Sequence, residues 1–145
     1  MSRDGGVNLA PYSFFNAMGD DPPLVVLADI SGSMSQYSRI FLHFLHALTE
    51  QRRGVHTFLF GTRLTNLTRQ MRHRDPDDAL ADCSAAVQDW SGGTRIGACL
   101  ADFADSWSES LVDRRTAVII LSDGWDTGDP DMLSHAMARI RRRAF

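Results

Sequence analysis

The chain has 145 residues, the size of one ordinary domain, and its 43% hydrophobic and 23% charged residues permit a real core and exclude wholesale disorder. Its 15 bases against 18 acids give a net charge of −3, which argues against a dedicated nucleic-acid or anionic-membrane binder. All the bases are arginine, so the chain can carry no Walker A lysine, Schiff-base lysine or kinase strand lysine.

Residues 1–23 show no clear period and include Gly5-Gly6, Pro11, Gly19 and Pro22-Pro23, so they read as an arm or linker ahead of a domain over 24–145. Leu24–Ala28 is a continuous apolar run ending in Asp29, the pattern of a strand buried on both faces of a parallel sheet. After the turn Ser31-Gly32-Ser33, the spacing of Tyr37, Ile40, Phe41, Phe44, Leu45 and Leu48 predicts a helix with that stripe inward. Arg52-Arg53-Gly54 is its stop signal. Val55–Phe60 reads as a second strand, and Leu64–Thr68 as a short third strand paired back by a tight connection. Asp75-Pro76-Asp77-Asp78 opens a helix with a cap, a proline at the first position and acids at the positive dipole end. Ala79, Cys83, Val87 and Trp90 share its inner face. A further helix buries Ile96, Leu100, Phe103 and Trp107, Thr116–Leu121 is another apolar strand, and Asp129-Pro130 caps a last helix with Leu133, Met137 and Ile140 inward. This order predicts an α/β fold of Rossmann type, a mainly parallel central sheet with helices on both faces.

Cys83 and Cys99 both fall in helical segments and form no paired motif. The first residues lack an apolar signal core, and the longest apolar runs are too short to cross a bilayer. These features point to the cytoplasm. The chain stops at Arg141-Arg142-Arg143-Ala144-Phe145, where a crossover would ordinarily deliver another strand. The sheet is therefore expected to be truncated at its C-terminal side, leaving an open apolar edge at Thr116–Leu121 that invites self-association.

Two strands end in an aspartate followed by a turn, Asp29-Ile30-Ser31-Gly32-Ser33 and Ser122-Asp123-Gly124. Ligands of open parallel sheets bind outside the carboxyl ends of the strands, where the strand order reverses. If these two strands are neighbours there, Asp29 and Asp123 converge, with Ser31 and Ser33 on the turn and Thr94 reaching in from the Gly92-Gly93 loop. Two carboxylates and three hydroxyls are hard oxygen donors, a set suited to Mg²⁺ or to Mn²⁺.

In this arrangement Asp29-x-Ser31-x-Ser33, Thr94 after a glycine pair and Asp123-Gly124 resemble the metal-ion-dependent adhesion site (MIDAS) of von Willebrand factor A (VWA) domains. The wider wording, Ala28–Met34, Gly92–Gly97 and Ser122–Pro130, is similar to the bacterial CoxE-like branch, over about residues 22–145. The resemblance implies a sheet with the Asp29 strand in the middle and a non-catalytic module that binds an acidic side chain of a protein partner through the metal. It further implies a MoxR-type AAA+ ATPase, or its client enzyme, as partner in metalloenzyme maturation. Arg95, Trp125 and Asp126 are the expected rim contacts.

Two other readings compete. A Mg²⁺-dependent phosphohydrolase could use Asp29 as nucleophile, but Ser31 stands where a second acid would be needed, and only Arg95 could stabilise a transferring phosphoryl group. An extracellular adhesion domain of the same fold would be expected to show a signal sequence or disulfides. Elsewhere the bland readings prevail. Asp129 is a helix cap, His43 and His46 are structural or surface residues, and the terminal arginines complement a helix dipole.

Overall fold

β1 (Leu24–Asp29) is buried at all six positions, as a strand covered on both faces must be. In the computed structural model, which describes residues 22–30, 32–87, 94–123 and 128–144 apart from the side chains of Ser33 and Ser35, this strand lies inside a four-stranded sheet. A 3₁₀ helix (Gly32–Tyr37) leads into α1 (Ser38–Gln51), and β2 (Val55–Phe60) then returns parallel to β1. β3 (Leu64–Asn66) folds back antiparallel on β2. A short 3₁₀ turn (Gln70–Arg72) precedes α2 (Pro76–Ala86), and α3 (Ile96–Ser106) runs on into the single turn α4 (Ser108–Leu111). β4 (Ala117–Leu121) pairs parallel with β1 on the side away from β2, and α5 (Pro130–Arg143) follows. The order β3-β2-β1-β4 puts the reversal of strand order at β1, between its two parallel neighbours.

Alternation along the strands divides the core in two. Leu24, Val26 and Ala28, with Leu59 of β2, face Leu42 and Leu45 of α1 and Leu80 and Cys83 of α2. Val25 and Leu27, with Phe58 and Phe60, face Ile96, Leu100 and Phe103 of α3 and Ala136 and Ile140 of α5. The two thiols divide the same way, one in each layer, both free and buried. Burial, and then the charge of Asp82, pushes the Cys83 thiol up to about 11, so it is a weak nucleophile.

Local chemistry explains the element ends. Asp75 and Asp129 each accept a backbone hydrogen bond from the residue two places on, at 2.8 and 2.9 Å, and a proline opens each helix. After α1 the chain turns at Gly54, whose φ of +72° a side chain would strain, and its carbonyl accepts from the Leu24 amide. β4 is launched by a turn in which the Asp113 carboxylate accepts from the Arg115 amide (2.8 Å) and the Thr116 hydroxyl (3.0 Å).

The stripe expected on the first helix is corrected by the structure. Ser38, Leu42, Leu45 and His46 are its buried residues, while Tyr37, Ile40 and Phe44 are 46%, 65% and 57% exposed. The helix carries two apolar sectors, and the sheet takes the one that also presents His46. That ring is satisfied by donating from Nε2 to the His73 carbonyl at 2.6 Å, which removes the cost of burying it. On α5, Ala136 and Ile140 are buried whereas Met137 is 44% exposed, so its expected apolar side is also only partly inward.

α3 and α5 approach closely at Gly97. A β-carbon there would stand 2.8 Å from the backbone nitrogen of Leu133 and 3.2 Å from its Cα, and backbone atoms cannot swing aside. Gly97→Ala is expected to force the helices apart, costing about 1–2 kcal/mol after allowance for the better helix propensity of alanine. A lower urea midpoint at unchanged slope would register it.

His56 supplies a pH-dependent term. Partial burial, and then the Arg72 charge, hold its pKa below the ordinary imidazole range. The unfolded chain therefore takes up this proton first. Stability is full above the unfolded pKa near 6.5 and falls as pH drops through it towards the lower folded value. His56→Gln is expected to lose less stability than the parent between about pH 7.5 and 5.5, as urea unfolding across that range would read.

Candidate metal centre

Three chain segments meet at the carboxyl end of β1, each brought there by backbone pairing. Asp29 ends the central strand opposite Phe60, and the Ile30 amide donates to the Phe60 carbonyl at 3.0 Å. On the other side, Ala28 pairs with Leu121, so Ser122 and Asp123 emerge beside Asp29. The third segment is tied to the end of β2, where the Gly61 carbonyl accepts from the Arg95 amide at 2.9 Å and from the Cys99 thiol at 3.5 Å. That anchor holds Thr94, which is buried, beside the end of β2 and just ahead of α3. Neighbouring strands lie about 4.8 Å apart, so the ends of β2, β1 and β4 stand side by side at this end of the sheet.

The side chains at this end differ in exposure. Asp29 is fully buried, Thr94 is buried, Asp123 is exposed, and Arg95 stands exposed beside them. Ser122 Oγ donates to Asp29 Oδ2 at 2.9 Å. A carboxylate withdrawn from water requires hydrogen-bond donors or a cation, and this hydroxyl supplies one such donor. Ser122 was not among the site residues expected from sequence. The signal for it lay in the parallel register, which sets the residue after β4 against the end of β1.

Of the expected ligands, Asp29, Thr94 and Asp123 are thus brought to one end of the sheet. Ser33 lies in the 3₁₀ helix that leaves this end, and its side chain, like Ser31, Trp125 and Asp126, lies outside the described residues. Among the described residues, no three histidine, cysteine or acidic side chains cluster for a metal; the candidate set from sequence is one of hydroxyls and carboxylates. These hard oxygen donors, one a buried carboxylate, fit Mg²⁺ or Mn²⁺ better than a soft metal.

In sequence, residues 6–145 match the family described as VWA domain containing CoxE-like protein. The chain belongs to that family. No curated protein sequence matches this CoxE-like VWA domain. In fold it is similar to proximal thread matrix protein 1 from the mussel byssus (crystal form 2), with a TM-score of 0.57 and 17% identity over 85% of this chain. A structure of the same mussel protein with a zinc-occupied MIDAS motif gives a TM-score of 0.56 and 16% identity over 85% of this chain. In both cases the CoxE-like domain covers 36% of the mussel chain, and the likeness is one of fold. Among the described residues no helix is long and apolar enough to cross a membrane.

Proposed function

We propose that this VWA domain is a cytoplasmic, non-catalytic binding module that captures an acidic side chain of a protein partner through a divalent cation at the end of β1. The observation that carries the reading is the buried Asp29 carboxylate at the strand-order reversal, beside Ser122, Asp123 and Thr94. Asp29, Ser31, Ser33, Thr94 and Asp123 would hold Mg²⁺, or Mn²⁺ in its place. The cation supplies the positive charge and the open coordination position that a partner's Glu or Asp would fill. Asp29 is held by the Ser122 hydroxyl and by its place in the sheet, so one donor stands fixed before any ligand arrives. Arg95, with Trp125 and Asp126, would shape the rim and choose among acidic partners.

The zinc-occupied MIDAS of the mussel protein, in a similar fold, supports a divalent cation here. We propose as partner a MoxR-type AAA+ ATPase or its client enzyme, in the maturation of a metalloenzyme, as the resemblance to the CoxE-like branch implies. Pull-down of a purified MoxR-type AAA+ ATPase by the tagged chain tests the reading. Capture is expected in Mg²⁺, and loss in EDTA and with Asp29→Ala. Capture that ignores the chelator would overturn it, as would Mg²⁺-dependent release of phosphate from p-nitrophenyl phosphate that Asp29→Ala abolishes.

A further inference from the structure

The 3₁₀ turn Gln70–Arg72 gathers positive charge in a chain whose net charge is −3. Arg69 and Arg72 are exposed, and among the described residues no ion pair holds either of them, whereas Arg139 is paired with Asp105 at 2.7 Å. The segment that carries them is fixed from within. Met71 is buried in the core, the Thr57 amide donates to the Thr68 hydroxyl at 3.0 Å, and the His73 carbonyl accepts from His46. Two guanidinium groups on an anchored turn lose less freedom on meeting an anion than two on a loose loop.

Three open clefts surround this turn, and Arg72 borders all three. Asp82 stands in the wall of one and Glu50 in the wall of another, so each of those carries part of its own countercharge. The third, of about 490 Å³, has no acid in its walls. It brings Arg69, Arg72 and His56 together with Trp107 and Leu111, which supply apolar surface. Burial, and then the charge of Arg72, disfavour protonation of His56, so the positive field of the cleft is felt by its own walls. His56 pairs with Val25 near the amino end of the parallel strands, four residues before the Phe60 that stands opposite Asp29, about 13 Å along the sheet. A long polyanion such as a nucleic acid would meet Asp82 and Glu50 in the neighbouring clefts, which favours a short ligand of few negative charges. A bare inorganic anion would leave Trp107 and Leu111 unused.

We propose that this cleft is a second, metal-independent docking site, which takes a short acidic segment of a partner protein in which carboxylates alternate with apolar side chains. The Arg69 and Arg72 guanidinium groups donate to the carboxylates, a match that is bidentate by shape. The apolar side chains lie against Trp107 and Leu111, and the arginines select for charge at the rim of that contact.

The probe is the fluorescein-labelled hexapeptide Gly-Glu-Leu-Glu-Phe-Gly, titrated with the full chain and read by anisotropy. Saturable binding is expected, unchanged in EDTA and weakened at least tenfold by Arg69→Glu, by Arg72→Glu and by Leu111→Ser, each first checked by its melting curve. Arg39→Glu makes the same change of charge at an exposed position of α1 and should leave binding nearly unchanged. Peptides with lysine in place of glutamate, or serine in place of leucine and phenylalanine, should fail to bind, and they decide the matter without altering the protein. On saturation the pKa of His56, read by NMR, should rise, because the bound carboxylates offset Arg69 and Arg72, the charged groups that line the cleft with it. Absence of binding, or an unmoved His56, overturns the proposal. So does loss of binding in EDTA or with Asp29→Ala, which would place the peptide at the metal centre, and so does equal weakening by Arg39→Glu, which would reduce the effect to overall charge. Displacement of the peptide by inorganic phosphate at constant ionic strength would overturn it in favour of a phosphate ligand.

Discussion

Asp29→Ala is expected to abolish the rise in melting temperature that Mg²⁺ or Mn²⁺ confers on the parent chain. A ligand at a hundred times its dissociation constant stabilises the folded state by about 2.7 kcal/mol, on the order of 10 °C for a domain of this size. Asp29 is the fully buried member of the candidate ligand set, and its orientation comes from the middle of the sheet rather than from a loop. Its removal takes away one of two carboxylates and the donor with the least freedom to be misplaced. Ser122→Ala makes the informative contrast. It deletes the hydroxyl held 2.9 Å from Asp29 while leaving the carboxylate, so the metal response should be weakened and still present. Melts in metal and in EDTA read both variants, and a parent chain indifferent to metal would refute the assignment of ligands.

Phe58→Ala is the substitution expected to cost most in stability. Phe58 is completely buried on the α3–α5 side of the sheet, where its ring meets Phe103 at 5.1 Å nearly edge-on and Trp107 at 5.5 Å. Large-to-small changes at such positions cost about 3–5 kcal/mol, and each edge-to-face pair adds about 0.5–1.5 kcal/mol beyond the area buried. Domains of ordinary stability have only about 5–15 kcal/mol to lose. Urea unfolding should show the midpoint fall by at least a third, and some of the variant unfolded without denaturant.

The parts of this architecture that were legible in the sequence are those governed by local chemistry. Asp75 and Asp129 announced their helices because cap, proline and first-turn acids act within four residues, and both caps form. The apolar run of β1 announced a doubly covered strand because an alternating one would have exposed a face. What the local pattern could not reveal was which sector of a two-sided helix the sheet would take. Tyr37, Ile40 and Phe44 are as apolar as Leu42 and Leu45, which are buried instead, and the buried sector carries His46, whose ring meets the His73 carbonyl 27 residues away. Asp29, Thr94 and Asp123 could be named from their turns and strand ends. Ser122 could not, because its role depends on parallel register between strands that α1, β2, α2 and α3 separate.

That long separation has a consequence for how the domain comes into being. The hydrogen bond between Asp29 and Ser122 joins residues 93 apart in the chain, and β1 lies between two strands of which the second is made last. At synthesis rates of 5–20 residues per second, the finished β1 waits roughly 5–20 s before its second neighbour exists. During that interval the central strand has one side unpaired, and folding must close a loop that includes most of the domain before the closing contacts reward it. The contact between Asp29 and Ser122 is thus among the last of the described features to form, and a ligand that requires both Asp29 and Asp123 recognises only chains in which β4 has paired with β1.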